Sequence, residues 1–137
     1  MVNQMFIRRI SIVSIRRPPE QSVNDDLQWF GHALGLFGER DKDKSCFRIF
    51  IELLKAAKKH DYLSSDDLAD SLGLSRGTVV HHLNGLMERG IVLHEGNYYA
   101  LRGENLAELI QDLNRDMERA MADITAAAEE LDRALKL

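Results

Sequence analysis

The sequence predicts a mainly α chain of the α+β kind, in which helices precede a short hairpin and one long helix follows it. Three observations predict this. Two capped helices lie back to back between Ser64 and Arg89, turn residues around Glu95-Gly96-Asn97 separate two short β-rich runs, and apolar residues recur at spacings of four and three from Leu106 to Ala134. The periods are those of an amphipathic helix and of a coiled-coil seam.

The stretch Leu63–Leu101 organises the rest. Ser64 or Ser65 is suited to cap a helix, because a Ser oxygen accepts a free N–H of the first turn, and Asp66 and Asp67 follow near the positive end of that helix. Leu68, Ala69 and Leu72 form its apolar stripe, and Gly73 ends it. Ser75 caps a second helix that runs to about Arg89, with Val79, Leu83 and Leu86 on its buried face. Two helices joined by a tight Gly-containing turn make a helix-turn-helix. Gly90 stops the second helix, and Ile91–Leu93 and Tyr98–Leu101 read as a hairpin. The whole is a winged helix-turn-helix, with Tyr62-Leu63 as a candidate third strand.

The run LADSLGLSRGTVVHHLNGLMERGIV resembles the winged helix-turn-helix of the ArsR/MarR-type transcription regulators of archaea and bacteria. Ala69 stands at the small-residue position where the two helices meet, Gly73 at the turn and Val79 at the core position of the second helix. The resemblance covers about residues 44–101. It implies a partner, double-stranded DNA, and places the reading residues in the T-V-V-H-H-L segment.

The flanking segments divide the chain into residues 1–40, 41–102 and 103–137. Residues 6–17, FIRRISIVSIRR, read as a terminal strand with apolar residues on both faces. Such a strand pairs with an edge in its own chain, pairs with the same strand of a second subunit, or lies on DNA as a basic arm. Pro18-Pro19 ends it. Residues 24–38 read as a short helix capped by Asn24, with Leu27, Phe30, Leu34 and Phe37 on one face and Trp29 beside them. That stripe is expected to be core, with a small-molecule pocket at Trp29, Phe30 and Phe37 as the alternative. Residues 41–60 form the first helix of the winged domain, on a stripe of Phe47, Phe50, Ile51 and Leu54, with Lys55, Lys58, Lys59 and His60 at its C-terminal end. Residues 105–137 read as one helix opened by Asn105 and Glu108, with a seam through Leu106, Ile110, Leu113, Met117, Ala120, Ile124, Ala127, Leu131 and Ala134. A lone helix of this length does not hold itself in water, so the seam calls for a second subunit, or else packs back on residues 6–38.

Charge is uneven. Residues 1–20 carry four Arg and one Glu, and residues 40–60 seven Lys or Arg and three acids, whereas residues 64–101 carry two Arg against five acids. Phosphate contacts supply much of DNA affinity, so a net −3 winged domain needs a dimer to multiply them. On the second motif helix, Arg76 can donate twice to guanine, and Thr78, Val80 and His81 can offer hydroxyl, methyl and imidazole contacts to base edges. Ser75, His82 and Asn84 suit phosphate, and for His82 packing is the rival role. The wing tip has no Lys or Arg, unlike many winged helices.

The same residues exclude other classes. The chain lacks an 18-residue apolar run and a signal-peptide core, so no membrane partner and a cytoplasmic location are expected. Cys46 stands alone, which excludes an internal disulfide and the cysteine clusters of ArsR-type metal sensors. Adjacent His81 and His82 diverge on a helix and chelate one metal poorly. No nucleophile elbow, phosphate-cradling loop or paired-carboxylate signature is present, so neither enzyme activity nor a cofactor is expected. The expected function is a homodimeric, sequence-specific regulator, most simply a repressor, reading the major groove with helix 75–89. The rival is a winged-helix module that binds a protein of transcription or chromosome machinery. A small-molecule or redox switch resting on helix 24–38 and Cys46 could sit on top of the first.

Overall fold

A computed structural model describes residues 9–19 and 22–137. Among these residues, five helices and a three-stranded sheet follow one another as α1 Val23–Ala33, α2 Ser45–Lys58, β1 Leu63–Ser64, α3 Ser65–Leu72, α4 Arg76–Glu88, β2 Val92–Glu95, β3 Tyr98–Leu101 and α5 Leu106–Leu135. No helix among the described residues is long and apolar enough to cross a membrane.

Local chemistry sets most boundaries. Ser64 caps α3 reciprocally: its hydroxyl accepts from Asp67 N–H, and the Asp67 carboxylate accepts from Ser64 N–H, each at 3.0 Å. Gly73 closes α3 at φ 65, a left-handed conformation that a Cβ disfavours. The α5 N-terminus is capped by Asn105, and Glu108 reaches back one residue further than expected, to the N–H of Glu104 at 2.8 Å. The sheet is antiparallel in the order β1-β3-β2, with Leu63 opposite Tyr99 and Val92 opposite Leu101. Its hairpin turn is the two residues Gly96-Asn97, because Glu95 pairs with Tyr98 as the last rung of the ladder.

The core runs through the middle of the chain. Phe50, Ile49 and Leu53 of α2, Leu68 of α3, Val79 and Leu83 of α4, Val92 of β2 and Leu109 of α5 are fully enclosed. In α2, Ile51 and Leu54 are only partly buried, and Ile49 and Leu53 take the enclosed places. This helix is central, packed against α3, α4 and β3, so its apolar surface is wider than one stripe.

The N-terminal expectations need correction. Ser22, not Asn24, caps α1, and the helix ends at Ala33 rather than residue 38, because Gly35 turns the chain at φ 70 and Leu36 dives into the core. Gly31 is buried where a Cβ would lie 2.7 Å from the Phe47 ring, so α1 crosses α2 at glycine distance. The aromatic stripe is indeed core: Phe30, Phe37, Phe47 and Phe50 stack on one another. Residues 41–44 form turns ahead of α2 rather than its first turn. Residues 9–17 form no strand; Val13 N–H donates to Ala33 O at 2.9 Å and Trp29 Nε1 donates to Ile15 O at 3.3 Å. They lie along α1, which has no free strand edge to offer. Residues 6–8 of the expected strand lie outside the described residues.

Candidate nucleic-acid interface

Helix α4 owes its orientation to three anchors. Val79, Leu83 and Leu86 fix one face in the core. The second anchor is Arg89, just past the C-terminus, which donates through Nη1 to the carbonyl of Gly35 at 2.7 Å and ties α4 to the α1–α2 loop. The third joins His82 to Asp41. The Asp41 carboxylate accepts from the N–H groups of Ser45 and Cys46, at 2.9 Å each, and so caps α2 from four residues upstream. Its Oδ2 also lies 4.0 Å from His82 Nε2, in a contact where both side chains are largely covered.

Burial pushes the Asp41 carboxyl up, but its bonds to the Cys46 and Ser45 N–H groups, with His82 nearby, outweigh that and hold it below the ordinary carboxylate value. Burial pushes the His82 imidazole down; Asp41 opposes this, while His81 and Arg89 add to it, and the balance lies below the ordinary histidine value. His82 is therefore a neutral packing residue at pH 7. Cys46 lies beside this pair. Burial pushes its thiol up to about 11, Arg89 drawing it down and Asp41 adding to the rise. Almost none of it is thiolate at neutral pH, which is poor chemistry for a redox switch.

The other expected site residues divide by position on α4. Ser75 and Thr78 engage each other: the Ser75 hydroxyl accepts from Thr78 N–H at 3.1 Å and donates to Thr78 Oγ1 at 2.8 Å. They build the first turn, and the Thr78 hydroxyl retains a proton to donate. Arg76, His81 and Asn84 are exposed, whereas Val80 is half-buried. Arg76 Nε lies 3.8 Å from Asp66 Oδ1 on α3, both side chains more than two-thirds exposed, so the pair is weak and the guanidinium is free to leave it. Gly77 and Gly85 share the outward side with His81, and a Cβ at either would meet nothing within 4 Å. The structure thus brings Arg76, His81 and Asn84 to an open surface, leaves Ser75 and Thr78 at its upper edge, and withdraws His82.

Across from that surface, Arg9 and part of the segment 35–46, with Arg40, Asp41, Lys42 and Asp43, form the far wall of an open cleft of about 950 Å³, whose near wall includes Gly77, His81, Asn84, Gly85 and Glu88. Sequence reasoning missed Asp41 and Arg89. Both act over long range, Asp41 on His82 and Arg89 on Gly35, so spacing could not reveal them; an Asp four residues before a helix start was the one available hint. Among the described residues, no group of three or more His, Cys, Asp or Glu could hold a metal ion.

Residues 51–93 match the family model described as bacterial regulatory protein, arsR family. No curated protein and no solved structure matches the chain. The matched segment begins within α2, contains all of α3 and α4, and ends in β2, while α1, the cleft loop and α5 lie outside it. Its buried positions, caps and glycine turn are those described above, and with β3 it forms the wing. Residues 51–93 thus carry a winged helix-turn-helix segment similar to that of the bacterial regulatory proteins of the arsR family.

Proposed function

We propose that the chain is a homodimeric, sequence-specific regulator that inserts α4 into the major groove and represses by occupying its operator. The observation that carries this reading is the outward surface of α4. Arg76, His81 and Asn84 are exposed there, the two latter between Gly77 and Gly85, which leave the helix backbone uncovered, and Arg76 just ahead of Gly77 in a weak pair with Asp66. Each helical glycine costs roughly 1 kcal/mol relative to alanine. Neither is required by the chain's own packing, and bare backbone suits a close-fitting partner such as the walls of a groove. Arg76 lies at the N-terminal end of α4, the end that a recognition helix points at base edges. Repression is the simplest outcome, because blocking a promoter needs no contact with polymerase.

The dimer reading rests on α5. Met121, Ile124, Leu131 and Leu135 are each more than half exposed and, with Ala128, follow one another at spacings of three and four. A second copy covers such a seam, and Ala128 within it allows close helix approach. A dimer doubles the DNA contacts and sets two half-sites roughly 34 Å apart.

The alternative is a protein-binding winged helix. It is favoured by exposed Asp66, Asp67 and Asp70 on α3 and by a wing tip, Glu95-Gly96-Asn97, that holds no cation. Anisotropy titration of operator and random duplexes separates the two. With Arg76→Ala, preference for operator over random DNA falls by roughly tenfold or more, matching about 1–3 kcal/mol for a bidentate guanine contact. Unchanged affinity and preference would refute the assignment of Arg76.

A further inference from the structure

The winged domain has a charge problem that the rest of the chain is placed to solve. A helix in the major groove, about 12 Å wide, has a phosphate strand on either side. On one side of α4 stands α3, with exposed Asp66, Asp67 and Asp70, and Asp66 beside Arg76. The wing brings no cation at its tip. On the other side is the open cleft, and its far wall carries Arg9, Arg40 and Lys42. All three are exposed, and none has an ion pair or hydrogen bond among the described residues. The acids of the cleft are differently disposed. Asp41 is spent on the α2 N-terminus and faces His82, which leaves two exposed acids, Asp43 on the far wall and Glu88 on the α4 side, against three cations.

We infer that Arg9, Arg40 and Lys42 form a phosphate clamp: one DNA strand runs through the cleft beside α4, and residues outside the family-matched segment supply its charge contacts. This rests on the proposal that α4 enters the major groove. The cleft is open and continuous with the outward face of α4, so a strand gripped there belongs to the same duplex that His81 and Asn84 face. The loop is also rigidly referenced to α4. Arg89 ties Gly35 to its C-terminus, and Asp41 packs on His82 near its middle. Cations held at a fixed offset from a reading helix set its register without carrying sequence information.

The test is the salt dependence of binding to the selected operator, for wild type, the triple variant Arg9→Ala/Arg40→Ala/Lys42→Ala, and the control Arg115→Ala/Arg119→Ala. The control removes cations that pair with Asp112 and Asp116 on their own helix. Each lost phosphate contact reduces the slope of log K against log salt by about 0.9. The triple variant therefore loses about 2–3 units of slope per half-site, about 5 for the two half-sites of the proposed dimer, and roughly tenfold or more in affinity near 0.1 M salt, while operator preference and the control stay as in wild type. An unchanged slope in the triple variant, with Arg76→Ala still lowering preference, would overturn the clamp and leave the function standing. A wild-type protein with no operator preference would overturn the underlying reading, and the clamp with it.

Discussion

The two halves of α5 share one apolar pattern and differ in what covers it. Near its start, Leu109 and Leu113 are buried in the domain core. Arg102 holds this half in place. It pairs through both Nη atoms with the Asp116 carboxylate and lies 3.7 Å from Asp112, in a largely covered cluster. From Met121 onward every residue is exposed, apolar ones included. An isolated helix gains little from its own backbone bonds. The first half is thus explained by this chain alone, whereas the second presents the seam that the proposed dimer would cover.

The largest effect is expected in the body. Leu83→Ala, at a fully enclosed α4 position, should cost about 2–5 kcal/mol through lost burial and the cavity left behind. Denaturant titration followed at Trp29 measures it. Next comes the distal seam. Ile124→Asp with Leu131→Asp should convert the proposed dimer to monomer at micromolar concentration by light scattering, since a charge in the seam has no partner there. The winged domain should keep its thermal midpoint at matched low protein concentration. A smaller effect belongs to Asp41→Ala, which strips two acceptor bonds from the α2 N-terminus and removes the partner of His82. It should cost about 1–2 kcal/mol.

The smallest effect is a pH slope. His82 binds its proton less readily in the folded chain than in the unfolded one. Stability from this group is therefore fully present above the unfolded value near 6.5 and declines as pH falls below it. Asp41, also lowered, adds a decline only near and below its ordinary value of 3.8. Thermal midpoints between pH 7 and 5.5 should fall in wild type and fall less in His82→Gln.

The winged domain was legible because its signals are local. The Ser64 and Ser75 caps, the Gly73 stop and the Val79-Leu83-Leu86 face each lie within one or two turns of what they control. The N-terminal third was less so. Asn24 and Ser22 are both good caps by residue type, and only the turn at Gly35 and burial of Leu36 fix where α1 ends. An Ile-rich run predicts β-structure, but a strand exists only with a partner edge, and sequence cannot supply one. On α4, helical spacing separated core from surface. It could not tell His81 from His82, because what withdraws His82 is Asp41, which lies 41 positions earlier.

The central claim is that a dimer reads DNA with α4, and selection of genomic duplex fragments on the purified full chain tests it most directly. A dimer of this kind enriches an inverted repeat with half-sites about one helical turn apart, and Arg76→Ala loses that enrichment. Recovery of fragments without a shared sequence, bound weakly and alike by wild type and Arg76→Ala, would contradict it.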